Sequence, residues 1–197
     1  YADLLQPTEQ DRVLLISALG FDLTQKNLFI PFCTGATLVI PDFEDYDPER
    51  LADLIARERV SVINCAPSAF YPIAELDQHG GYPFASLRHL VLGGEPIRLN
   101  TLKPWFDHPA VHCVLTNSYG PTECSDVVAS YSLNSIDDTT LSMPVGRPLA
   151  NTQLYIVDQS GNLLPTGAVG ELCIAGIGVG AGYWNRDDLN AQAFADN

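Results

Sequence analysis

Seven consecutive residues, Asn117-Ser118-Tyr119-Gly120-Pro121-Thr122-Glu123, bring an amide, an aromatic ring, hydroxyls and a carboxylate together on one turn of backbone. Tyr119 offers a flat face on which a base can stack, and Asn117 offers a donor and acceptor pair. Thr122 and Glu123 add hard oxygens suited to a phosphate and its magnesium. Such a set makes a nucleotide-triphosphate site. A Gly-Pro turn followed by a helix cap at Thr122 accounts for any one of these residues, but not for the ordered set. The run Val111 to Leu115 is apolar and reads as a buried strand, and Gly120-Pro121 turns the chain where that strand ends. Ligands of parallel α/β sheets sit at the carboxyl ends of the strands, so the chemistry is expected there.

The segment NSYGPTE resembles the adenine-binding core motif of adenylation domains in nonribosomal peptide synthetases, within the larger group of adenylate-forming enzymes. The resemblance implies Asn117 near the adenine amine, Tyr119 stacked on the ring, Thr122 near the phosphates and Glu123 on Mg2+. Thr122 and Glu123 are then the catalytic candidates, with Ser118 and Gly120 in the same nucleotide loop. It further implies that Gly93-Gly94-Glu95 covers the adenine opposite Tyr119, although two glycines after a strand also make an ordinary tight turn. Phe21-Asp22-Leu23 followed by Phe29 is similar to the family segment whose aspartate binds the substrate α-ammonium. From local sequence alone Asp22 reads equally well as a helix N-cap.

By the same resemblance the substrate side chain is lined by Phe21, Asp22, Leu23, Lys26, Asn64, Val91, Gly93, Ser118, Asp126 and Val127. Lys26 follows Asp22 by four residues on an otherwise apolar helix, and Asp126 lies three past Glu123. Each is either solvated on its own surface or shares a cavity with the other, where burial demands pairing. A cavity holding both signs, with Asn64 and Ser118 beside them, favours a polar substrate side chain such as Glu, Gln or a basic one.

The activity implied is ATP-dependent activation of an amino acid, giving aminoacyl-AMP and pyrophosphate, followed by loading of the 4'-phosphopantetheine thiol of a peptidyl carrier protein. A condensation domain is the further partner implied. The alternatives are an acyl-CoA or aryl ligase of the same superfamily, whose substrates lack an ammonium for Asp22, and a nucleotide-binding module without turnover. The resemblance spans the chain but only the middle of the family's chain. The Lys-Gly phosphate loop, the ribose-binding segment and the terminal-lobe lysine fall outside it. The chain alone is therefore expected to be inactive.

The 197 residues are 46% hydrophobic and 17% charged, which is a globular composition. A net charge of -14 argues against nucleic acid as a partner, since phosphate binding needs clustered Lys and Arg. No apolar run approaches the roughly 18 residues that a membrane span requires, and a cytoplasmic protein is expected. Five cysteines without a CxxC pair read as reduced core residues, and the four histidines lack zinc spacing.

Short apolar runs alternate with helical patterns from Val13 to Tyr119, about five βα units by this reading. They predict a mostly parallel, doubly wound sheet with flanking helices. Residues 1 to 11 read as helical, Leu23 to Cys33 as a helix apolar on nearly every face, and 68 to 79 as a helix closed by Gly80-Gly81. Asp47-Pro48 opens a further helix whose Leu51, Leu54 and Ile55 share one face. From Pro144 onward closely spaced turn signals predict a small antiparallel, barrel-like lobe, so the chain divides into an α/β part at 1–142 and a β-rich part at 143–197. PVGRPLANTQLYIVD and GELCIAGIGVGAGY resemble the family's barrel segments, with Ala181 where a basic residue is usual. The GxGxxA pattern at Gly176 to Ala181 opens no βαβ unit, which excludes a dinucleotide fingerprint.

Overall fold

The computed structural model describes residues 1–77, 84–139 and 142–195. Strands β1 (Arg12–Leu14), β2 (Thr37–Val39), β3 (Val62–Cys65), β4 (His89–Gly93) and β5 (Val114–Tyr119) run parallel. β6 (Ala129–Leu133) and β7 (Arg147–Pro148) add antiparallel, in the order β2-β1-β3-β4-β5-β6-β7. The 2-1-3-4-5 order is that of a doubly wound sheet, with crossover helices on both faces. β3 and β4 are buried along their whole lengths, as central parallel strands covered on both sides must be.

The two faces carry different amounts of chain. On one, Leu14, Ile63, Leu90, Leu92 and Leu115 pack under α3 (Pro48–Arg57), α4 (Pro67–Asp77) and α5 (Leu99–Phe106). Trp105 is fully buried in this layer and meets Phe70 edge-on at 5.1 Å between centroids. On the other face Val13, Val62 and Val91 pack with Leu5 of α1 (Ala2–Leu5) and Ile30 of α2 (Leu23–Thr34). α3 begins as Asp47-Pro48 dictates: the Asp47 carboxylate accepts from Glu49 N at 3.0 Å and Arg50 N at 3.2 Å. α2 is capped by Asp22, which accepts from Leu23 N at 2.8 Å, and closed by Gly35 at φ 76.

Several expectations shift. α2 buries Leu23, Thr24, Asn27, Ile30 and Pro31 but exposes Phe29 and Phe32, because the sheet covers only one of its sides. The helix expected over 1 to 11 stops at Leu5, where Gln6 turns left-handed; Thr8 to Asp11 instead form a turn on the Asp11 carboxylate. Cys65, Cys113 and Cys124 are buried, but Cys33 and Cys173 are exposed. The strand before the Gly-Pro turn spans Val114–Tyr119 rather than 111 to 115, since its polar half is held by β6 through Asn117↔Tyr131 and Tyr119↔Ala129. α4 is described to Asp77, and the expected Gly80-Gly81 terminus lies outside the described residues.

The antiparallel part is a second sheet, β8 (Thr152–Val157) paired with β9 (Glu171–Gly176), followed by α6 (Asp187–Ala193). Leu154, Ile174 and Val179 pack against Cys124, Val128 and Ala129, which joins this sheet to the end of β5. Among the described residues no helix is long and apolar enough to cross a membrane.

Candidate functional site

Side chains alternate across a sheet, and this sorts the candidates at the carboxyl ends of β3, β4 and β5. Asn64, Val91, Gly93 and Ser118 fall on the α2 face, with Val91 beside Asn64 and Gly93 beside Ser118 in register. Asn117 and Tyr119 alternate with Ser118 and fall on the opposite face. The chain then turns through Gly120-Pro121 into a 3₁₀ turn at Thr122–Cys124, directly after the carboxyl end of β5.

On the α2 face this turn meets the helix. The Thr122 hydroxyl donates to the Asp22 carboxylate, so the α2 cap and the Gly-Pro-Thr turn form one junction. Lys26, one helical turn on, donates to Asp126; their side chains are only 11% and 16% exposed. Burial lowers the Lys26 pKa and raises that of Asp126, while the pairing opposes both shifts. Asp126 reaches Lys26 because Ser125 and Asp126 adopt successive left-handed conformations, φ 61 and 74. Outside glycine such backbone costs about 1–3 kcal/mol per residue and persists only where surrounding contacts hold it.

Two glycines are fixed by packing. A Cβ on Gly120 would strike the Asp126 carbonyl and come within 2.8 Å of Val128 N, so only glycine lets the turn fold back onto the strand. A Cβ on Gly93 would lie 2.5 Å from Ser118 Oγ and 2.9 Å from its carbonyl. Leu23 borders the same spot, Phe21 lies beside Gly94, and Val127 is half-buried at the exit of the turn. Asn64 spends its amide nitrogen on Leu23 O (3.2 Å) and Asn27 Oδ1 (3.0 Å).

The nucleotide candidates are more open. The Tyr119 ring is 37% exposed, and the Asn117 amide donates to Pro144 O at 2.9 Å. Gly94 sits at φ 84, which favours glycine. Glu95 stands apart from this set: its carboxylate takes Ser68 N (3.1 Å) and Ser68 Oγ (2.8 Å) at the start of α4.

Glu123 faces the loop that follows β9. The Tyr183 hydroxyl donates to it and holds its pKa below the ordinary carboxylate range. Gly180 N donates to Glu123 O at 2.7 Å, and Ser125 Oγ to Gly178 O at 2.8 Å. A Cβ on Gly178 would approach Cys124 O to 2.9 Å, so the glycine run excluded as a dinucleotide fingerprint serves to lie close against the Glu123 turn.

Sequence reasoning missed Tyr183 and Tyr1. Tyr183 follows Gly182 in the segment GAGYW, but nothing local to it signals a carboxylate 60 residues earlier. The Tyr1 ring lies over Lys26, with Nζ 4.9 Å from its centroid. The site as built offers an exposed ring, a carboxylate beside a hydroxyl, and a shielded cluster of polar side chains behind them.

The comparisons agree in kind. A family model described as AMP-binding enzyme matches residues 2–184. The chain is 37% identical over 188 residues to bacitracin synthase 3 of Bacillus licheniformis, covering 95% of this chain and 3% of that protein. It is 32% identical over 191 residues to tyrocidine synthase 1 of Brevibacillus parabrevis, covering 96% of this chain and 17% of that one. The chain thus spans a small part of the length of these relatives. Among solved structures it is similar to the nonribosomal peptide synthetase FmoA3, with a TM-score of 0.89, 30% identity, and coverage of 98% of this chain and 21% of that one. It also resembles the Vibrio cholerae adenylation domain AlmE in complex with glycyl-adenosine-5'-phosphate, with a TM-score of 0.81, 27% identity, and coverage of 97% and 36%.

Proposed function

This chain belongs to the family of AMP-binding enzymes, and we propose that it forms the amino-acid and adenine end of a nonribosomal peptide synthetase adenylation site. In the proposed reaction a carboxylate oxygen of the amino acid attacks the α-phosphorus of ATP. The new O–P bond forms as the bond to pyrophosphate breaks, and the aminoacyl-AMP then passes its acyl group to a carrier-protein thiol with release of AMP. The observation that carries this reading is the Thr122–Asp22 contact. It sets a carboxylate able to hold an ammonium beside a hydroxyl and Glu123, at the carboxyl edge of the sheet.

Each residue then has a task. Asp22 keeps further lone pairs free after its bonds to Leu23 N and Thr122, enough to accept from an α-ammonium. Tyr119 and Asn117 bind adenine from the other side of β5, and Gly94 allows a ring to approach the backbone. The Glu95 carboxylate holds the start of α4, which leaves its backbone to border the base with Gly94.

Magnesium commonly takes one or two protein carboxylates and completes its shell with phosphate oxygens and water. Glu123 fits that demand as a carboxylate whose charged form the Tyr183 hydroxyl favours, with Thr122 as a neighbouring oxygen. Among the described residues no group of three or more His, Cys, Asp or Glu could hold the ion without such substrate oxygens. Bound there, the ion would neutralise charge on the phosphates. The test is ATP–pyrophosphate exchange by the full-length protein. Exchange should require an α-amino acid and fall at least about 100-fold in Asp22→Ala, as for loss of a charged, transition-state-oriented contact. Equal exchange with fatty or aryl acids would assign the protein to a different ligase class.

A further inference from the structure

We infer that the polar cluster of Lys26, Asp126, Asn64 and Tyr1 beside Asp22 selects a neutral, hydrogen-bonding amino-acid side chain, and that Tyr1 is one of the residues that select it. The inference rests on the amino-acid-activation reading and deepens it.

The charges in this cluster already have partners. Lys26 and Asp126 bond to each other, largely shielded from water, and the Tyr1 ring takes a further side of the ammonium at 4.9 Å. A substrate carboxylate approaching Lys26 also meets the Asp126 charge, and a substrate ammonium approaching Asp126 also meets that of Lys26. Either one places like charges together in a shielded site, a cost that a neutral side chain avoids. The position thus discriminates against both acidic and basic side chains, although it contains both signs.

The groups that lack partners are neutral. Asn64 is 1% exposed and bonds through its nitrogen to Leu23 and Asn27, which flank Lys26 on α2, while its Oδ1 has no partner. The Tyr1 hydroxyl is likewise buried without a partner, beside Asp126, and Tyr1 packs against the cluster of Leu5, Val13, Ile30, Val62 and Val91 on the Asn64 face of the sheet. Burial and the Asp126 charge raise its pKa, so it stays a neutral donor and acceptor. Asn64 Oδ1 can only accept, and the tyrosine hydroxyl can do either. A hydroxyl or carboxamide supplies the N–H or O–H that Asn64 lacks and an oxygen for Tyr1. An aliphatic side chain would leave both groups orphaned, and a carboxylate would set a third acceptor against Asn64 and Asp126. Serine, threonine, asparagine and glutamine are the class that fits.

The experiment is pyrophosphate exchange by the full-length protein across the proteinogenic amino acids, as wild type, Tyr1→Phe and Asp126→Asn. Expected is the highest kcat/KM with one of the four named residues. Tyr1→Phe should lower kcat/KM for that substrate about tenfold, chiefly through KM, and leave leucine and phenylalanine unchanged. Asp126→Asn, which frees Lys26, should raise glutamate relative to glutamine by at least tenfold. Preference for an aliphatic, aromatic or charged residue in the wild type, or a Tyr1→Phe loss that is equal for every substrate, overturns the inference while leaving amino-acid activation intact. Exchange with no amino acid at all overturns the activation reading itself, and this proposal with it.

Discussion

At each end of the parallel strands a shielded carboxylate meets a cation, yet the two ends are built differently. At the amino ends of β1, β3 and β4, both oxygens of Asp11 are engaged, by Arg88 Nε (2.9 Å) and Nη2 (2.7 Å), Ser61 Oγ (2.7 Å) and Thr8 N (2.7 Å). Arg88 continues to Leu5 O at 3.1 Å, so one bidentate pair ties three strands to α1. At the carboxyl ends, Lys26 and Asp126 have chiefly each other, next to unpartnered Asn64 Oδ1 and Tyr1 OH, on backbone bent left-handed at two successive residues. A polar network with its partners in place holds a fold together; one with free valences and stored strain is open to a ligand. The engaged Asp11 carboxylate serves the fold, and the upper end is the one we propose for recognition.

That contrast breaks most visibly if a carboxylate is removed from the upper end. Glu123→Ala is expected to lower kcat/KM for amino-acid-dependent exchange about 10³-fold, or ~4 kcal/mol, with Tm changed by no more than about 2 °C. The backbone bond from Gly180 N to Glu123 O survives the substitution and keeps the turn in place. Loss of folding in this variant would make Glu123 a structural residue and erase the distinction between the ends.

Asp11→Ala tests the lower end and should do the reverse. Burial alone would raise the Asp11 pKa, but the hydrogen bonds from Arg88, Thr8 and Ser61 prevail and hold it well below the carboxylate range. A depressed acid adds stability above its unfolded pKa, near 4, and that stability is lost as the pH falls through its folded value. Arg88 is partly exposed, which discounts the pair, and a loss of about 2–3 kcal/mol in unfolding free energy at pH 7 is expected, shrinking in strong acid. Denaturant titrations at the two pH values measure it. Exchange kinetics of the folded variant should stay within about twofold of wild type.

The sequence made much of this legible, for local reasons. Asp47-Pro48 wrote its own helix start, and the apolar runs at Val62 and Leu90 read as strands and are strands. Asp22 could be read as a cap or as a ligand, and it is a cap that also receives Thr122, so the two readings were not exclusive. What stayed hidden is long-range. The exposed Phe29 and Phe32 depend on what covers α2, the polar half of β5 on a partner strand 14 residues away at Asn117↔Tyr131, and the pairing of Lys26 with Asp126 on a separation of 100 residues. Tyr1 and Tyr183 carry no local mark of function and acquire a place only through the fold.

Tyr183 gives the smallest and most discriminating effect, because its contact joins the loop after β9 to the upper end of the first sheet. Its hydroxyl donates to Glu123 and stabilises the ionised carboxylate, so Tyr183→Phe should raise the Glu123 pKa. If magnesium and phosphate binding require ionised Glu123, the acid limb of the kcat/KM profile moves to higher pH in the variant. At pH 8 the carboxylate is ionised with or without its donor, and activity there should remain within about twofold of wild type. Packing cannot account for such a pattern: the Tyr183 ring still meets Phe194 at 5.6 Å after loss of one oxygen, and displacement of the glycine loop would lower the rate at every pH. An unmoved acid limb with uniformly reduced activity would show that the loop after β9 merely positions the turn, and that the ionisation of Glu123 is set elsewhere.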